Sequence, residues 1–393
     1  MALAHRFMLR RLAAVTRFRS LGGTGFWNVM SGPQAAYHSG RTHLAWCDSS
    51  GQTWAAHWDH ASLSLSTPVA LGSPLTAVDG AIHVAPAVLV RPSDGRVLVA
   101  NVANGGTTQP VLWTSSAPND SSAFGSGAAF GSSGVYTYAD LVALGTEVYF
   151  ITGFWNGSRD MVWYRSTDGG ATWGPKVVVM HPAVDSTFFW HLVGNGSRID
   201  IYSTDTDRTV PSKVYHTYWD GSTLRNSAGT SMGALAAFSN DGSLVSDASL
   251  GGAYVESATT DGGQPAAVLF ADTGSSTLQR RAVWNGSSWA LSTVVDQGGY
   301  IGSNPNIAGG AIAAGDATTV FAPVKVGAHF EMFRHETADG GATWSHSALT
   351  SSSVSDNASP STPQDAADSL RCVWGLGTYT SDAAFSFAIQ GTT

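Results

Sequence analysis

The stretch "RSTDGGATW", Arg165 to Trp173, decides the fold, because nearly the same residues return as "ETADGGATW", Glu336 to Trp344. In each, an Asp carboxylate can accept N–H bonds across a tight turn, paired Gly residues permit positive φ, and a Trp closes the unit. Looser units of a turn closed by a large apolar residue end at Trp54 ("SGQTW"), Trp113 ("PVLW"), Leu224 ("DGSTL") and Trp289 ("NGSSW"). From Trp54 to Trp344 the successive intervals are 59, 60, 51, 65 and 55 residues. A repeat of ~40–60 residues holding about four strands is the period of a propeller blade. Single blades leave edges and faces uncovered, so such repeats close into a ring.

The residues between the turns agree with this. "RTHLAWCD", "GRVLVANV", "TEVYFITGF", "DMVWYRS", "SRIDIYST", "KVYHTYW", "AAVLFADT" and "TTVFAPVK" alternate or run apolar over short spans bounded by Gly, Asn, Asp and Ser. They read as strands. Helical periodicity is scarce after residue 25, and no low-complexity linker divides the chain. The expectation is an all-β fold: a six- or seven-bladed propeller, seven favoured, with four-stranded antiparallel blades. It forms one domain over residues 25–393, preceded by a basic arm over residues 1–24.

Charge narrows the partners. Of 20 basic residues, Arg6, Arg10, Arg11, Arg17 and Arg19 sit in the arm, leaving a body dominated by 28 acidic residues. Such a body repels phosphate backbones, so nucleic acid is excluded as a ligand. No apolar run approaches the ~20 residues that span a bilayer. "LAAVT", between Arg11 and Arg17, is shorter than the apolar core of an export signal. The arm therefore reads as a segment that docks on the fold or on a protein partner. Cys47 and Cys372 are too few for a disulfide framework or a four-cysteine zinc site. In "HWDH", His57 and His60 are three apart on a strand and face opposite ways. No metal and no cofactor are expected.

The two exact turns match the Asp-box: Ser166, Asp168, Gly170, Thr172 and Trp173, then Thr337, Asp339, Gly341, Thr343 and Trp344. Their role reads as structural, on the rim and away from the axial site. Beyond them, "GRTHLAWCDSSGQTWAAHWDH", "DGAIHVAPAVLVRPSDGRVLVANVANG", "YTYADLVALGTEVYFITGF" and "SRIDIYSTDTDRTVPSKVYHTYWDGSTLRNSAGT" follow one another in a familiar order. In this the chain resembles the sialidase-like BNR-repeat propellers, in the group that includes ulvan-lyase-type polysaccharide lyases. The resemblance covers nearly the whole chain, with "KVYHTYWDG" and "DGGATWSHSALT" its most specific stretches.

That resemblance implies a lyase chemistry whose residues can be sought one by one. Such an enzyme removes the proton beside a uronate carboxylate, and needs a cation on the carboxylate, a base and an acid. His83, before "VAP", maps to the family's base, and Tyr138 in "YTYAD" to its tyrosine. Asn104 stands where a second His is expected. The family's "YR", source of the neutralising Arg, is here Phe154 and Trp155. A further His position falls in Asp205 to Pro211, leaving Arg208 or Arg159 as substitutes for the missing cation. His191 in "FFWHLVG" is a third histidine candidate. For His83, Tyr138 and His191 alike, the plainer alternative is a packed side chain at a strand end. Sialidase chemistry would need three converging arginines and an early Arg-Ile-Pro motif, which the sequence lacks.

With the cation missing from its family position, the expectation is a non-catalytic module. It would recognise cell-surface or extracellular polysaccharide, or simply pack, within a larger assembly. Asn104, Trp155, His191 and Arg208 would line the binding face, and residues 1–20 would hold a partner such as another tail protein. A phage tail or virion is the favoured location, extracellular release without a classical signal the alternative. The alternative activity is a working lyase that cleaves uronate-containing polysaccharide.

Overall fold

The computed structural model describes residues 25–27, 31–75, 80–184, 187–206, 212–233, 235–247, 249, 253–302, 304, 306–365 and 370–392. The basic arm over residues 1–24 and Arg208 lie outside the described residues.

The described residues build seven sheets in chain order, almost wholly antiparallel. Their first strands are Ala35–His38, Ala87–Val90, Gly134–Leu144, Trp190–Gly194, Ala253–Asp261, Ala311–Ala313 and Asp356–Ser361. Each of these touches the next one along, so they form the inner wall of a ring. The ring closes where Ala36 bridges Gln364 and the Tyr37 N–H donates to Gln364 O at 2.8 Å. Each strand read from sequence is present: "TEVYFITGF" lies in Glu147–Trp155 and "TTVFAPVK" in Asp316–Val326. No helix among the described residues is long and apolar enough to cross a membrane.

The uniform four-stranded expectation needs adjustment. The second, fifth and sixth sheets have four strands, while the third and fourth have six. The third gains Thr107–Thr108 on its inner side, and Ala237–Phe238 pairs in parallel with its outer strand. The seventh has three strands. Beside its last one, the Gly25 N–H donates to Phe387 O at 3.0 Å. Phe26 bridges Cys47 of the first sheet and stacks on Phe387, with ring centroids 4.1 Å apart. The Trp27 indole donates to Ser359 O at 2.8 Å. Residues 25–27 thus form the seam between the first and last sheets.

The two repeated turns explain why the sequence wrote them twice. The Ser166 hydroxyl donates to Asp168 Oδ1 at 2.8 Å, Gly170 N–H to Ser166 Oγ at 2.7 Å and Thr172 N–H to Asp168 Oδ1 at 2.8 Å. Thr337, Asp339, Gly341 and Thr343 repeat the three bonds at 2.8, 2.8 and 2.9 Å. Hydrogen bonds from Thr172 hold the Asp168 carboxyl down at about 2, and Asp339 sits below the usual carboxylate range for the same reason. Trp173 stacks on Phe130 at 4.4 Å between centroids, and Trp344 packs on the core shared by the fifth and sixth sheets. Each turn therefore pins its own sheet to the preceding one. The two cysteines, Cys47 and Cys372, are free and buried.

Candidate functional site

Two kinds of segment meet at one end of the ring: the approaches to the innermost strands, and the connections between second and third strands. His83 and Asn104 fall in such segments, while Tyr138 lies within the inner strand Gly134–Leu144 and Arg159 opens the strand Arg159–Ser166. His83 lies in a 3-10 turn, Ala81–Val84, just ahead of the second sheet. The turn opens at Gly80, whose φ is 113°, and a Cβ there would meet the backbone of Asp382 at 2.5 Å. Only glycine lets the turn rest on the last hairpin of the ring. His83 Nε2 thereby reaches Asp382 Oδ2 at 3.3 Å. Asp382 also accepts the Tyr379 hydroxyl proton, and Asn304 Nδ2 donates to Tyr379 Oη at 3.0 Å.

Tyr138 is presented by a β-bulge. Thr137 pairs with Gly153 but Asp140 with Ile151, so the inner strand of the third sheet carries one extra residue. Tyr138 takes φ 61°, a left-handed conformation that bulky residues adopt only when their surroundings impose it. Its ring is 7% exposed and lies 5.9 Å from the His83 ring, 6.4 Å from Phe189 and 6.5 Å from Trp190. Trp190 is held by its indole N–H, which donates to Asp140 Oδ2 at 3.0 Å. Burial pushes the Asp140 carboxyl up to about 8.

A guanidinium stands beside Tyr138, carried by the neighbouring strand. Arg159 pairs with Trp155 across the hairpin, and its guanidinium carbon lies over the Tyr138 ring, 5.8 Å from the centroid. Its path runs over Gly153, where a Cβ would stand 2.6 Å from Thr137 Cγ2, 3.0 Å from Trp190 Cη2 and 3.2 Å from Arg159 Cγ. The glycine is the gap through which Arg159 reaches Tyr138. Arg159 was legible only as a substitute. Its hairpin, "FWNGSRD", places it opposite Trp155 through the Asn-Gly turn. Asp382 and Asn304 carried no signal, because they come from segments far away in sequence.

The remaining candidates divide. Asn104 is buried, and the neighbouring Gly105 N–H donates to Tyr136 O at 3.1 Å, which ties it to the strand of Tyr138. Trp155 is 43% exposed at the rim, whereas Trp190 and Trp219 are buried. His191 is not drawn into this cluster. It lines a narrow cavity of about 60 Å³ with Gln34 and Glu256, and burial lowers its pKa to about 4. His57 Nδ1 accepts from Ser121 N–H at 3.2 Å, and His60 Nε2 lies 2.8 Å from Thr42 Oγ1. Among the described residues no three His, Cys, Asp or Glu side chains are grouped to hold a metal ion.

The arrangement can be set against known structures. The chain superposes on a polysaccharide lyase, the PL25 ulvan lyase solved with -[GlcA(1-4)Rha3S]- bound, with a TM-score of 0.76. The two are 14% identical, and the match covers 95% of this chain and 96% of the lyase. A second structure of a PL25 ulvan lyase gives a TM-score of 0.75 at 14% identity, covering 97% and 96%. No protein-family model and no curated protein matches the sequence. At this identity the likeness speaks for architecture alone, and the chain has the fold of a β-propeller.

Proposed function

We propose that residues 25–393 form a single seven-bladed, sialidase-like propeller that cleaves acidic polysaccharide by β-elimination. The observation that carries this reading is the Arg159 guanidinium over Tyr138, with the His83 ring 5.9 Å from the same phenol. Arg159 would pair with a uronate carboxylate and spread the charge that develops when the adjacent C5 proton leaves. His83 would take that proton; donation of its Nε2–H to Asp382 sets Nδ1 as the basic nitrogen. The electron pair left at C5 forms the C4–C5 double bond as the C4–O4 bond breaks. The Tyr138 hydroxyl would protonate the departing oxygen. The likeness to ulvan lyase supports the choice of a uronate-bearing polymer as substrate.

The experiment is incubation with uronate polysaccharides while following the ultraviolet absorbance of the new conjugated double bond. The wild-type chain should generate it, and Arg159→Ala should lower kcat/KM by about 10²–10³-fold, the worth of a single oxyanion donor. A wild-type chain that yields no absorbance on any such polymer overturns the lyase reading.

The exposed indole of Trp155 at the rim favours a second reading, recognition without cleavage. The propeller would then be a glycan-binding part of a larger assembly, such as a phage tail, held through residues 1–20. It predicts saturable polysaccharide binding with no new absorbance, and loss of assembly when residues 1–20 are deleted.

A further inference from the structure

We infer a second saccharide site, for an anionic sugar unit, in the cleft between the fourth and fifth sheets around Arg280, Trp284 and Trp289. The cleft has a volume of about 750 Å³ and is also lined by Leu244, Asp247 and Ser288. That is the size of pocket that accepts one or two sugar rings. Its walls are the outer strand Ser243–Ser246 of the fourth sheet and the last two strands of the fifth, Thr277–Trp284 and Trp289–Asp296.

Arg280 is the unusual member. Its Nε is buried and has no hydrogen-bond acceptor, and no carboxylate lies within 4.0 Å of its guanidinium among the described residues. Asp247 interacts with it electrostatically from beyond that distance, and is itself influenced by Lys213 as well as by Arg280. A half-buried guanidinium without an acceptor is costly unless a ligand supplies one. A carboxylate or sulfate ester matches its fork of donors.

The rest of the cleft selects a sugar rather than a bare anion. Trp284 and Trp289 lie opposite each other across the hairpin, with ring centroids 5.8 Å apart. The Trp289 ring is fixed in place by its N–H, which donates to Ser227 Oγ at 2.9 Å, and by edge contact with His216 at 5.2 Å. Trp284 is buried and backs the cleft, so the half-buried Trp289 is the indole that offers apolar surface on which a pyranose ring stacks. The exposed serines at 249, 287 and 288 supply hydroxyl partners around it. Ser287 and Ser288 belong to a turn between third and fourth strands, on the end of the ring away from His83. The site is therefore separate from the one described above and does not depend on its chemistry.

The test uses the full chain carrying Arg159→Ala, so that the first site contributes no carboxylate pairing. Titration calorimetry compares oligosaccharides of galacturonate, of a sulfated galactan and of uncharged glucose, together with a glutamate hexapeptide. The charged saccharides should bind, the uncharged one should bind at least about tenfold more weakly, and adding Arg280→Gln should remove that preference. Arg280→Lys, which keeps the charge but not the fork, should fall between; a thermal melt confirms that each variant folds. The uronate and sulfate arms tell which anion the fork prefers. Equal affinity for charged and uncharged sugars, tighter binding of the peptide, no saccharide binding, or a preference that survives Arg280→Gln each overturns the assignment.

Discussion

Replacing Gly153 by alanine probes the lyase reading at its most sensitive point. The added Cβ would lie 2.6 Å from Thr137 Cγ2, 3.0 Å from Trp190 Cη2 and 3.2 Å from Arg159 Cγ, where ordinary contacts run from 3.4 Å. Trp190 has little room to yield, since it is buried and its indole is bonded to Asp140. Thr137 is buried too and adjoins the left-handed Tyr138. Relief must come from the Arg159 stem and from the bulge itself. Overpacking of this size costs ~1–3 kcal/mol. The stiffer unfolded chain offsets only ~0.4–1 kcal/mol of it. The fold survives, but the guanidinium and phenol move relative to each other by up to ~1 Å, and such a misplacement costs about 10²-fold in rate. The assay is kcat/KM from the absorbance of the unsaturated product, with a thermal melt alongside. The expected result is a loss of about 10²-fold with a melt lowered by only a few degrees. Wild-type turnover by Gly153→Ala would refute the idea that Arg159 acts through this gap.

Tyr138→Phe keeps the ring packing and should fold normally, yet lose about 10²–10⁴-fold in kcat as the leaving oxygen loses its acid; unchanged kcat would assign that proton elsewhere. Trp155→Ala removes an exposed ring, so the melt should not move while oligosaccharide affinity falls about 3- to 10-fold by loss of stacking; calorimetry reads both. Stability should decline with rising pH, because burial pushes the carboxyls of Asp140 and Glu256 up to about 8. An unfolded chain releases those protons near pH ~4. Between about pH 4 and 8 the folded state therefore holds more protons, and stability falls across that window and flattens above it. Urea midpoints at pH 5 and pH 8 measure the slope, and Asp140→Asn should make it shallower; an unchanged slope would place the buried proton elsewhere.

The fold was legible because its determinants are local. The alternation in "TEVYFITGF" and the polar turn around Asp168 are settled within a few residues of backbone, so sequence spacing reports them directly. Extra strands such as Thr107–Thr108 were missed because two residues carry no period. The site was legible only in pieces. His83 and Tyr138 came from a family resemblance, and no local pattern says that their rings lie 5.9 Å apart. Asp382 stands 299 positions from His83 and meets it only because the ring closes. The guanidinium near Tyr138 was the hardest to anticipate, since Arg159 occupies a different strand from the expected one and its approach depends on the absent side chain of Gly153.

The seam at residues 25–27 has a mechanical consequence. A load applied at Gly25 would pass to Phe26 and Trp27, with Phe387, Cys47 and Ser359 as its anchors. Pulling there would strain the interface between the last described sheet and the first ahead of the rest, with the Ala36–Gln364 bridge as the second clasp that must then hold.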